Sequence, residues 1–167
     1  MITLEPLKIK DFPTVFEWTE RYPWPKELND YKEWERQMLN RLTAALSHNG
    51  ELLAVFSFDI LGSGILELHF DSPDSNVPRY SAVEAAALSI ERQLFEDGNT
   101  QLIVGWTPAA NRGVVQLAAT SGIKWDGVEM FRGKRRWIRL SITREQYEQQ
   151  KQTANNDPAV RNPEWGV

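Results

Sequence analysis

Residues 65–71 read Ile-Leu-Glu-Leu-His-Phe-Asp. In an extended strand that alternation sends Glu67, His69 and Asp71 to one face and Leu66, Leu68 and Phe70 to the other. Ionisable groups repeated along one strand face are unusual in a sheet covered on both sides. Glu67 or His69 could act there as a general base, drawing a proton from a bound nucleophile directly or through a water. The same groups could equally form a solvated face, or line a polar cleft without turnover, because alternating charge is ordinary on an exposed strand. Other reactive residue types say less. His48 sits beside Asn49-Gly50 and reads as a solvated turn residue. With His69 it completes the 2 histidines of the chain, too few for a His-rich metal site. Ser81 has no G-x-S-x-G elbow around it and suits a helix N-cap. Cysteine is absent, which removes disulfides, thiolate metal sites and Cys nucleophiles.

These groups need a frame. Residues 2–8 read as a first strand, and Asp11 before Phe12-Pro13 as an N-cap with Pro in the first turn of a helix. Phe12, Val15, Phe16 and Thr19 share a face of that helix. A second helix fits 29–41, with Tyr31, Trp34, Met38 and Leu42 in one stripe. Asn49-Gly50 between the apolar runs 43–47 and 52–60 is the strongest short hairpin signal a sequence offers. Gly62-Ser63-Gly64 then leads into the strand that carries Glu67 and His69. A helix over 81–95 turns Val83, Ala87, Ile90 and Leu94 inward and stops at Asp97-Gly98-Asn99. In 103–123, Ile103, Val104 and Trp106 form a buried strand, Pro108 breaks it, and Val114, Leu117, Ala118 and Ser121 recur at helical spacing until Gly122. A last hairpin pairs 124–131 with 135–142, and Thr143 caps a short polar helix.

Asn111 and Gly122, with Leu117 between them, resemble the late strand–helix segment of the GCN5-related N-acetyltransferase (GNAT) superfamily, with Ile123 where that family usually has Phe. The order β, α, α, β, β, β, α, β, α, β, β, α is the family's order, and residues 143–149, TREQYEQ, resemble the closing helix of its ribosomal-protein-type members. The resemblance covers most of the chain. It implies one α/β domain over residues 1–150, with a mixed, mostly antiparallel, twisted sheet that splays between Phe70 and Ile103 and helices on both faces. It also implies acetyl-CoA as co-substrate, a small-molecule or protein amine as acceptor, and Glu67 or His69 as the base that deprotonates it. The family's Tyr acid, expected directly after the helix's Leu, is here Ala118.

In the family a pyrophosphate cradle opens the long helix, with the pattern Arg or Gln, two residues, Gly, one residue, Gly or Ala, because free N–H groups at a helix N-terminus bind phosphate. The matching segment is Arg79-Tyr80-Ser81-Ala82-Val83-Glu84. The resemblance therefore assigns Arg79 and the backbone of Tyr80, Ser81, Ala82 and Val83 to the pyrophosphate, and Asn111 to the pantetheine or adenosine side. Ala82 and Glu84 replace the two small residues, and a carboxylate facing a pyrophosphate is repelled by it. Binding of acetyl-CoA is thus expected to be weak or absent. This degenerate loop makes the chain similar to reduced GNAT-like proteins of tailed bacteriophages. That likeness carries a second reading: a non-catalytic internal virion or head-assembly protein with virion proteins as partners.

Composition bounds both readings. A chain of 167 residues, 41% hydrophobic with 7 Trp, buries one substantial core. The net charge of −4 argues against a general nucleic-acid coat, and the basic run Arg132, Lys134, Arg135 and Arg136 reads first as a solvated hairpin tip. Neither a leader nor a long apolar run is visible, so no membrane association and a cytoplasmic location are expected, in the host cytoplasm or the virion if phage-encoded. Residues 151–167 are polar and aperiodic and read as a flexible tail in which Trp165 is the one anchor. Trp18, Trp24 and Trp34 cluster in the helical segment that covers the acceptor site in many GNAT relatives, where they could line an aromatic acceptor pocket, although core packing or a protein contact is the more common use of Trp.

Overall fold

The computed structural model describes residues 1–19, 30–73, 80–96 and 98–156. Strand β1 (Ile2–Glu5) is followed by a 3-10 turn (Ile9–Asp11), α1 (Phe12–Thr19), α2 (Tyr31–Leu39), β2 (Leu42–His48), β3 (Glu51–Gly62), β4 (Ile65–Asp71) and α3 (Tyr80–Glu96). Then come β5 (Leu102–Pro108), α4 (Arg112–Thr120), β6 (Lys124–Arg132), β7 (Arg135–Thr143) and α5 (Arg144–Asn156). The expected order of elements is the observed one. The strands form one 7-stranded sheet in the order β1-β2-β3-β4-β5-β7-β6. Every pairing is antiparallel except β4 with β5.

Local chemistry explains most boundaries. Strand β1 stops at Glu5 rather than residue 8 because Pro6 has no N–H to give a ladder. Asn49 and Gly50 take φ of 51° and 83°, the left-handed pair that a tight hairpin with the native twist requires. Asp30 caps α2, its side chain accepting from the Lys32 N–H at 2.9 Å, so the helix begins later than residue 29. At the end of α4 the Ile123 N–H reaches the Ala118 carbonyl and the Gly122 N–H that of Ala119, both at 3.0 Å. Gly122 at φ 78° completes a Schellman stop. Thr143 and Gln146 exchange side-chain and backbone bonds at the start of α5, at 2.9 and 3.2 Å, a capping box. That helix runs to Asn156, past the expected domain boundary at 150; Trp24, Trp165 and the rest of the tail lie outside the described residues.

Alternation along β2 and β3 divides the core. Ala45 and Val55 face α1 and α2, packing with Phe12, Val15, Trp18 and Met38. Their neighbours Leu46, Ala54, Phe56 and Phe58 face α3 through Val83, Ala86 and Ile90. A third cluster joins Phe95 of α3 to Ile103, Ile123, Ile138, Leu140 and Ile142, and Tyr147 of α5 stacks on Phe95 with ring centroids 4.7 Å apart. Helices therefore cover both faces. The basic hairpin tip is exposed; Arg136 pairs with Glu129 at 2.5 Å and lies over the Trp125 ring. Among the described residues no helix is long and apolar enough to cross a membrane.

Candidate active site between strands β4 and β5

The parallel pairing of β4 and β5 consists of Ile65↔Leu102, Leu66↔Ile103 and Glu67↔Val104. Beyond it β5 stays in register with β7, from Gly105↔Leu140 to Pro108↔Trp137, while β4 stays with β3 as far as Val55↔Asp71. Each strand follows its antiparallel partner, and the two separate after Glu67. The separation leaves a cleft of about 210 Å³. Its walls are residues 67–71 of β4, residues 105–108 of β5, Asn111, Val114 and Ala118 from the α4 side, and Trp137. An extended chain laid there can bond to the strand edges as an added strand does. Gly105 stands at the fork, where a β-carbon would come within 3.2 Å of the Leu68 carbonyl oxygen.

Glu67, His69 and Asp71 share a face, as alternation requires, and all line this cleft. Register adds what the strand alone does not contain. Ser57 lies opposite His69 and Asp59 opposite Glu67. From the corner between α2 and β2, Arg41 reaches over and grips Asp59 with two bonds, Nε to Oδ1 at 2.9 Å and Nη2 to Oδ2 at 2.8 Å. His69 Nε2 is 2.9 Å from Asp59 Oδ2 and 4.0 Å from Glu67 Oε2. Arg41 and Asp59 are absent from the residues singled out in the sequence. The pairing of Asp59 with Glu67 depends on a register irregularity between Ile60 and Gly62 that the sequence does not announce, and nothing local points to Arg41.

Electrostatics follow from this arrangement. Partial burial pushes the Asp59 carboxyl up, but the Arg41 guanidinium and His69 outweigh it and hold the group below its ordinary value. His69 is lowered, first by burial and then by Arg41, against the pull of Glu67 and Asp59; the ring is neutral at pH 7 and able to accept a proton. Asp71 is pushed up to about 6 by burial, with Arg41 opposing. Ligand atoms of Asp59, Glu67 and His69 fall within 4.8 Å of one another, a spacing that would suit a cation. Both Asp59 oxygens are already engaged, however, and Arg41 supplies the positive charge, so this donor set fits an ion-pair network rather than a metal.

The expected cofactor residues are placed less compactly. Arg79 lies outside the described residues. Tyr80 opens α3, Ser81 is exposed, Ala82 is half-buried and Val83 is wholly buried in the core. Val83 can thus offer a ligand only its backbone. None of residues 81–83 lines the β4–β5 cleft. Asn111 does line it, and it also caps α4, its Oδ1 accepting from the Val114 N–H at 3.4 Å. Asn111→Ala should therefore cost about 1 kcal/mol of stability, measured by urea denaturation. A loss of acetyl-CoA affinity beyond that would mark a second, ligand-facing role.

No protein-family model and no curated protein sequence matches the chain. Solved structures do. The spermidine/spermine N-acetyltransferase SpeG from Vibrio cholerae in complex with manganese ions superposes with a TM-score of 0.68 at 15% identity, over 89% of this chain and 96% of that one. The SpeG structure in complex with CoA and spermine gives 0.68 at 14%, over 88% and 98%. An acetyltransferase (GNAT family) from Bacillus anthracis gives 0.66 at 14%, over 86% and 95%. At such identities the likeness is one of fold, and it spans nearly the whole of each relative: this chain has the fold of the GNAT acetyltransferases.

Proposed function

We propose that the protein is an acyl-CoA-dependent N-acetyltransferase that moves acetyl from acetyl-CoA to an amine. The observation that carries this is the cleft opened by β4 and β5, with Glu67 and His69 on its wall. In the reaction the amine nitrogen attacks the thioester carbonyl, the C–N bond forms, the C–S bond breaks, and Glu67 or His69 takes the amine proton. The pantetheine arm would lie along the free strand edges, with Asn111 beside it and Arg79 and the N–H groups of Tyr80 to Val83 toward the pyrophosphate. The carboxylates of Glu67 and Asp71 on the cleft wall suit a cationic amine, the class to which the spermidine and spermine of the Vibrio relatives belong.

Because Ala82 and Glu84 occupy the positions of small residues, binding should be weak. Calorimetry with acetyl-CoA and desulfo-CoA tests this. Heat fitting a dissociation constant between roughly 0.1 and 1 mM, about −4 to −5.5 kcal/mol, is expected. The double variant Ala82→Gly, Glu84→Gly should bind roughly tenfold tighter by removing a carboxylate from the approach to the anion. No heat at millimolar ligand, together with no transfer to a panel of amines, would leave the second reading: a non-catalytic GNAT-fold component of a tailed phage that binds virion proteins through its Trp-bearing helices.

A further inference from the structure

Two groups could serve as the base, and the contacts around them are unequal. Resting on the acetyltransferase reading, we infer that His69 takes the amine proton on Nδ1, and that Asp59 and Arg41 are positioning residues that fix the ring's tautomer and orientation. Asp59 is clamped by the two bonds from Arg41, whose side chain is 11% exposed, so the carboxylate can neither rotate nor leave. An ionised carboxylate only accepts hydrogen bonds. Nε2, 2.9 Å from Oδ2, must therefore carry the hydrogen, which leaves the Nδ1 lone pair to receive a proton. Glu67 has no hydrogen-bond partner among the described residues, and its one ion-pair contact there is His69 Nε2 at 4.0 Å, too long to fix a rotamer as the Arg41 clamp fixes Asp59. His69 also stands just past Glu67↔Val104, the last pair before the strands part.

The charged groups around the ring come from three elements. Arg41 approaches from the α2–β2 corner, Asp59 from β3, and Glu67 and Asp71 from β4 itself. Helix α1, which also packs against β4, contributes one charged side chain, Glu17, which is exposed. Burial, and after it Arg41, keeps the ring neutral before reaction, and Asp59 stabilises the imidazolium once the proton arrives. As the C–N bond forms, the amine proton passes to Nδ1. The C–S electron pair leaves on the CoA thiolate, and the proton on His69 returns through solvent to that thiolate, so no other reactant is needed.

Nitrogen-15 NMR of the whole chain reads the tautomer directly, with His48 as the other resolvable ring. The expected spectrum has His69 protonated on Nε2; a His69 protonated on Nδ1 in the wild type overturns the inference. Asp59→Asn should produce mixed tautomers, lower kcat at least tenfold with KM for acetyl-CoA little changed, and move the acid limb of the rate profile to lower pH, because Arg41 is then unopposed. A merely structural Asp59 would move neither tautomer nor limb. His69→Gln should lower kcat roughly a hundredfold, whereas Glu67→Gln should lower it about threefold. The reverse ranking overturns the inference and leaves the acetyltransferase reading intact, while absence of transfer by the wild type overturns both. Should Asp59→Asn fail to fold, the wild-type tautomer and the His69→Gln against Glu67→Gln comparison decide the matter.

Discussion

At pH 8, Glu91→Gln is expected to be more stable than the wild type by on the order of 3 kcal/mol, an advantage that disappears by pH 4. Glu91 lies in α3 at 5% exposure, and its Oε2 has no hydrogen-bond partner among the described residues. Burial alone pushes its carboxyl up to about 8, far above the ordinary value in an unfolded chain. Below about pH 4 the group is protonated in both states and contributes no penalty. As pH rises from about 4.5 toward 8 the unfolded chain releases the proton while the folded one holds it, so stability is lost across that window. Gln keeps a polar group there but cannot ionise, and its folding free energy should stay flat where the wild type declines. Asp71, raised to about 6, leaves a smaller slope of the same sign in both proteins. Urea titrations at pH 5 and pH 8 measure the difference; parallel declines in the two proteins would show that Glu91 is hydrated.

Gly64→Val is the second change with a large expected effect, a loss of about 3 kcal/mol or more. Gly64 takes φ 76°, and a β-carbon there would lie 2.6 Å from the Asn99 carbonyl oxygen. That neighbour is backbone and cannot swing away. The Gly64 carbonyl in turn accepts from Gln101 N at 2.7 Å and Leu102 N at 3.1 Å, so relieving the clash pulls apart the junction where β4 and β5 first pair. A β-branched side chain is the worst choice in a left-handed conformation. For a domain of this size the melting temperature should fall by roughly 10 °C. Gly62→Ala is the control, since no atom comes within 4 Å of a β-carbon there, and it should stay within about 1 kcal/mol of the wild type. Equal losses from the two variants would mean that the 62–64 turn is generally fragile and that the contact with Asn99 is not the cause.

Features that depend on neighbours in the chain were legible in the residues alone. Asn49-Gly50, Gly122 and the Thr143 cap each act within a few residues, through φ preference or a cap, and each stands where its local chemistry requires; Pro6 acts as locally, but the expected first strand ran through it to residue 8. The face shared by Glu67, His69 and Asp71 was equally legible, because strand alternation is a property of the backbone. Glu91 was not. The 81–95 stripe of Val83, Ala87, Ile90 and Leu94 leaves Glu91 off the apolar face, yet it is 5% exposed on the helix that α5 meets through Tyr147 on Phe95, more than 50 residues apart in the chain. The cleft likewise exists because β5 follows β7 and β4 follows β3, a competition between partners that no single strand encodes. Asp59 and Arg41 meet His69 only through the β3–β4 register and the α2–β2 corner. Local rules therefore placed the candidate base on its strand, whereas only the packing of distant segments decided which groups hold it, charge it and leave it facing an open slot.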